Sequence, residues 1–139
     1  MKNKSPLALM EQLIMLMVFA IAAALCLQIF ALSGRISRDL ETRDRAMMTV
    51  QNAAESIKIA EGDLAAHAVY FGGSVADGVW TVYFDENWQT ASFENAVYSV
   101  TAHITENDIP LLGTAEVCAK NADGTALFEL TAAWQEVAE

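Results

Sequence analysis

In the stretch LMEQLIMLMVFAIAAALC, residues 9–26, one carboxylate, Glu11, stands near the start of an apolar run. The run continues downstream: residues 13–32 read LIMLMVFAIAAALCLQIFAL, interrupted only by Gln28. A helix rises about 1.5 Å per residue, so a segment of this length covers the roughly 30 Å of a bilayer's hydrocarbon layer. Length and composition therefore predict a membrane-spanning helix over residues 7–33. A cleaved signal peptide is the rival, with Lys2 and Lys4 as its basic start and ALS before Gly34 as a small-residue cleavage site. Signal h-regions run to about 7–15 residues, and this run is longer. A charge buried unpaired in lipid is costly, so Glu11 needs either a partner or a place at headgroup depth.

Beyond Gly34, a local weak point for a helix, the pattern changes. Ile36, Leu40, Met47, Val50, Ala54 and Ile57 recur at steps of three and four, with Arg43 as the charged member of the stripe. Arg35 with Asp39, and Glu41 with Arg45, lie four apart on a solvated face. This periodicity predicts an amphipathic continuation over residues 34–62, packed on the domain's own sheet and stopped by Gly62. Residues 63–78 read as a loop, in which Gly72, Gly73 and Gly78 make Phe71 to Gly78 a flexible connection between helix and sheet.

Short strands follow. VWTVYF (79–84), VYSVTAHIT (97–105), TAEVCA (114–119) and TALFELTAAW (125–134) are separated by polar turns, and the Asp123 and Gly124 pair is a hairpin signal. In the last strand, alternation places Phe128, Leu130, Ala132 and Trp134 on one face, with Leu127, Glu129, Thr131 and Ala133 on the other. One helix and then a run of strands implies an α+β domain, with an antiparallel sheet of about four strands over residues 79–139 laid on the helix.

The charge balance narrows the function. The chain has 139 residues, with 18 Asp and Glu against 8 Lys and Arg, and Lys120 is the only Lys or Arg beyond Ala60. Such a domain repels nucleic acid, which is held mainly by basic side chains. Cys26 lies in the apolar run and Cys118 in a distal strand, so both read as free thiols, Cys26 as a small apolar residue and Cys118 as a packed or weakly exposed strand residue rather than the partner in a bond between chains. No phosphate-binding loop, HExxH, Cys-x-x-Cys or G-x-S-x-G is present. His67 and His103 are separated by a loop and a strand and make no joint site. The turns DEN (85–87) and END (106–108) offer Asp85, Asn87, Glu106 and Asp108 as hard oxygen ligands for Ca²⁺. The two turns fall at opposite edges of an antiparallel pair, and each alone lacks the spacing of an EF-hand. No cofactor is called for. Trp80 and Trp134 fall at core positions of their strands, leaving Trp88, in a turn, as the exposed contact.

The order of these parts, a short basic leader, an apolar helix with Glu near its start, an amphipathic continuation and an antiparallel sheet, resembles the type IV pilins and the pseudopilins of type II secretion and competence systems. In that family a prepilin peptidase removes the leader, and Glu at the fifth position of the mature chain lies in the helix. Setting Glu11 on that residue makes residues 1–6, MKNKSP, the leader and marks Pro6 and Leu7 as the processing point. The family's cleavage follows Gly, and here Pro6, with a fixed φ and no N–H, stands in its place. The resemblance implies a non-enzymatic filament, secretion or DNA-uptake subunit anchored by a single span in the bacterial cytoplasmic membrane. Its globular domain would lie outside, its partners would be other pilin-like subunits met through the helix, and Glu11 would be the assembly contact. The basic residues alone give a mixed account of orientation, since Arg35, Arg38, Arg43 and Arg45 after the span outnumber Lys2 and Lys4 before it. The alternatives are a single-pass anchor carrying an extracytoplasmic protein-binding domain, and a secreted acidic domain released before Gly34.

Overall fold

The structure, a computed structural model, describes residues 4–136. Residues 1–3 of the leader, Lys2 among them, and the C-terminal residues 137–139 lie outside the described residues. The chain divides into two compact units, Met1–Glu41 and Thr42–Glu139.

A single helix, α1 (Ser5–Ile59), contains both the apolar run and the amphipathic stretch. Pro6 sits in its first turn, where a missing N–H costs nothing, and Gly34 is passed without a break. In the second unit the helix buries Ala46, Val50, Ala53, Ala54 and Ile57. The stripe is thus borne out from Met47 onward, with Ala46 and Ala53 added, while Ile36 and Leu40 are about half exposed.

The helix ends in a Schellman motif. Gly62 N–H donates to Ile57 O at 3.0 Å and Glu61 N–H to Lys58 O at 3.0 Å, with Glu61 itself in the left-handed region at φ 51°. Asp63 then starts a new element. Its carboxylate accepts from Ala65 and Ala66 N–H at 2.9 and 3.1 Å, capping α2 (Leu64–Phe71). The segment expected to be a loop over residues 63–78 is corrected accordingly, since it holds α2 and a further strand.

That strand is β1 (Ser74–Ala76), joined to β2 (Val79–Phe84) through Asp77 and Gly78 at φ 51° and 77°. Two consecutive positive φ values are the mark of a type I′ hairpin turn, which Asp-Gly favours. The sheet continues with β3 (Tyr98–Thr105), β4 (Leu112–Asn121) and β5 (Ala126–Gln135), in spatial order β1-β2-β3-β4-β5 and antiparallel throughout. It therefore has five strands rather than four, and begins at Ser74 rather than Val79.

Alternation sorts the two faces. The inner face offers Trp80, Val82, Phe84, Val100, Ala102, Ala115, Val117, Ala119, Ala132 and Trp134 to one core with the α1 stripe and Leu64. Trp80 is wholly buried, its indole N–H donating to Gly72 O at 2.8 Å. Trp134 is buried against two glycines, and a Cβ placed on either Gly62 or Gly113 would overlap its ring. Substituting Ala at Gly113 should destabilise the domain by about 1–3 kcal/mol through overpacking. The midpoint of thermal unfolding, followed by Trp fluorescence, reads this out, and Gly34→Ala, which meets no neighbouring atom and like Gly113 has no positive φ to strain, should not lower it.

Candidate functional site

The first unit carries the residue that the sequence singles out. Between Lys4 and Arg35, Glu11 is the only charged side chain. It lies on α1 with Leu7, Ala8, Ile14 and Met15, the residues three and four positions away, and with Lys4 two turns back, around one shallow groove. Glu11 has no ion-pair partner among the described residues. The bond between Pro6 and Leu7 lies in the helix's first turn, where Ala8 N–H donates to Lys4 O at 3.3 Å.

Apart from Lys4 and Gln12, the surroundings of Glu11 are apolar. From Leu7 to Leu32 sixteen large hydrophobic side chains are each more than half exposed, Phe30 reaching 76 %. Full burial of such a side chain is worth about 1.5–3 kcal/mol, so leaving all of them in water forgoes on the order of 20 kcal/mol. That exceeds the 5–15 kcal/mol that holds a typical domain folded. α1 is long and apolar enough to cross a membrane, and a helix that is hydrophobic all round belongs in lipid or against other helices. Cys26 is exposed on this same surface.

The acidic turns serve the fold. Asp85 Oδ1 accepts from Asn87 N–H at 2.8 Å and Gln89 N–H at 2.9 Å, closing its own turn. Asn107 bridges Leu112 O at 2.7 Å and Thr114 Oγ1 at 3.1 Å, while Ile109 N–H donates to its Oδ1 at 2.9 Å. Asn87, Glu106 and Asp108 are exposed. Phe84 pairs with Tyr98 and Val79 with His103, so the turn after β2 and the turn after β3 stand at opposite ends of the sheet. Among the described residues no group of three or more His, Cys, Asp or Glu is arranged to hold a metal ion.

Trp88 is not the free contact expected of it. The Asp85 turn curls back with Trp88 at φ 59°, and the indole stacks on Tyr98 at 4.4 Å between ring centres, the planes 9° apart. It is half-buried at the rim of the core.

Cys118 is buried on β4, and burial pushes its thiol pKa up, Lys120 opposing and Glu129 and Glu116 adding to the shift. A protonated, covered thiol is a poor partner for a bond between chains. His103 is exposed, with Nε2 3.8 Å from a Glu116 carboxylate oxygen. His67, expected in a loop, is wholly buried on α2. Its Nδ1 lies 2.8 Å from Ser56 Oγ, and its ring meets Trp80 edge-on at 4.3 Å and stacks on Phe71 at 5.3 Å. The two histidines therefore occupy different environments, one in the core and one on the outer face. Asp63, an N-cap residue type four positions before His67, was the available signal that His67 belongs to a helix.

The sequence gives no sign of a cavity of about 360 Å³ on the outer face, lined by Tyr83, Phe93, Ser99, Lys120 and Asn121 among others. Lys120, the lone basic residue of the distal chain, is the only trace of it.

With the geometry in hand, comparison with known proteins adds no relative. No family model matches the chain, and no curated protein or solved structure is significantly similar to it.

Burial lowers the His67 pKa from its ordinary value near 6.5. The folded state then binds this proton more weakly than the unfolded chain does, so stability is complete above about pH 6.5 and falls as the pH drops below it. Thermal unfolding between about pH 7 and 5 should show this loss in the wild type and a flatter profile in His67→Gln.

Proposed function

We propose that this chain is a structural, non-enzymatic subunit of the pilin-like kind, working by assembly through α1. The observation that carries the reading is the division of one continuous helix. Its first half is apolar on every side with a lone carboxylate, and its second half is the spine of an antiparallel sheet. In this reading residues 7–33 anchor the chain in a bacterial cytoplasmic membrane, the acidic domain stands outside, and the same helix passes into the core of a filament or secretion apparatus.

Glu11 supplies the selectivity. In a medium of low dielectric a carboxylate that meets the α-amino group of a neighbouring chain gains a strong interaction, and one left alone is heavily penalised. Helices stacked in the wrong register leave Glu11 unpaired, so only the productive register is stable. The reading needs a free amino group at Leu7, four residues before Glu11 and thus about 6 Å along the axis. A peptidase acting after Pro6 would supply it.

The alternative reading, a single-span anchor for a binding domain, draws support from the cavity beside Lys120. The two separate on Glu11. Two differently tagged copies of the full chain, expressed together in bacterial membranes, should copurify, and Glu11→Ala should reduce the yield at least tenfold, a loss of about 1.4 kcal/mol or more. Gln28→Ala should leave it unchanged. Equal recovery with Glu11→Ala would remove the register role and leave a plain anchor.

A further inference from the structure

The cavity on the outer face is bounded by three elements. Its floor is a row across the sheet, because Tyr83 pairs with Ser99 and Ser99 with Lys120, and alternation sets their side chains on the face away from the core. One wall is the loop after β2. That loop is tied back along the strand by Ala91 N–H donating to Tyr83 O and Val97 N–H to Phe84 O, both at 2.9 Å. A single 3-10 turn, Phe93–Asn95, then sets Phe93 edge-on to Tyr83 at 5.4 Å. The other wall is the hairpin between β4 and β5, held by Gly124 N–H to Asn121 O at 3.0 Å and by Thr125 N–H to Asn121 and Asp123 side chains at 3.0 and 2.8 Å.

Two features of this cavity stand apart from the rest of the domain. Phe93 is 74 % exposed at its mouth, an aromatic surface with nothing of its own chain over it. Lys120 is the only Lys or Arg beyond Ala60, against thirteen Asp and Glu there. Among the described residues it has no ion-pair partner. The carboxylate nearest in sequence on the hairpin, Asp123, is engaged by Thr125 N–H.

We infer that this cavity binds a small aromatic carboxylic acid, its ring against Tyr83 and Phe93 and its carboxylate on Lys120 with the Ser99 hydroxyl alongside. The volume, about 360 Å³, is at the lower end for small-molecule sites. The charge chemistry selects a monoanion. One ammonium balances one carboxylate, and the surrounding acidic surface repels a ligand of higher negative charge. The aromatic wall supplies the apolar contact that a bare anion would not use. This inference is independent of how α1 assembles.

The test uses the full chain, isotope-labelled in neutral detergent micelles, titrated with N-acetylphenylalanine and followed by amide chemical shifts. Addition to about 10 mM, appropriate to a site of roughly millimolar affinity, should move the amides of Ser99, Lys120, Ala122 and Gly124 in a saturable way. The neutral amide of the same compound, and acetate, should each bind at least tenfold more weakly. Lys120→Gln should weaken binding about tenfold and Phe93→Ala severalfold, while Lys58→Gln changes nothing. Shifts that are absent, or equal for the acid and its amide, would overturn the proposal without recourse to any variant.

Discussion

Sixteen large apolar side chains on all sides of one helix are a surface that water does not tolerate, and this constraint comes before every other feature of the chain. The helix cannot relieve it alone, because no single face can be turned inward. It has to be taken up by lipid or by other helices, and either setting makes the lone carboxylate at Glu11 the most consequential side chain in the first unit. The second unit meets its own requirement differently. There α1 turns apolar on one face only, and Val50, Ala53, Ala54 and Ile57 find the inner face of a sheet.

The sheet is built to receive that face. Trp80 and Trp134 fill the core from β2 and β5, and each needs particular backbone nearby: Gly72 O accepts from Trp80, and Gly62 and Gly113 leave space for Trp134. Gly62 also closes α1, so the residue that completes the helix's terminal motif is one of those that make room for the indole. The opposite face of the sheet is free for other use, and the loop after β2, the hairpin after β4 and Lys120 together build a cavity there.

Much of this could be read from residue order. The twenty-residue apolar run, the stripe from Met47 to Ile57 and the alternation in β2 and β5 are long, strongly periodic signals, and they gave α1 and four of the strands. The short elements were missed for identifiable reasons. Asp63 reads equally as the end of one helix and the cap of the next, and Gly62 drew attention to the first meaning. β1 has three residues, too few for periodicity, although Asp77 and Gly78 carry a hairpin signal as good as that at Asp123 and Gly124. Trp88 looked exposed because it follows DEN, yet the side chain of Asp85 folds that same turn back onto Tyr98. Glu11 stands out in the sequence because a charge is conspicuous in an apolar run. Lys120 shows in the sequence only as a count, since a cavity formed by three separate segments leaves no local pattern.

The proposed assembly through α1 would make a demand that the folded domain does not: a free α-amino group on the same helical face as Glu11. The most direct measurement is the N-terminal residue of the native protein, by mass spectrometry of isolated membranes and of the medium. The account predicts a membrane-bound chain beginning at Leu7. A chain in the membrane still beginning at Met1, or a domain in the medium beginning at Gly34, would contradict it.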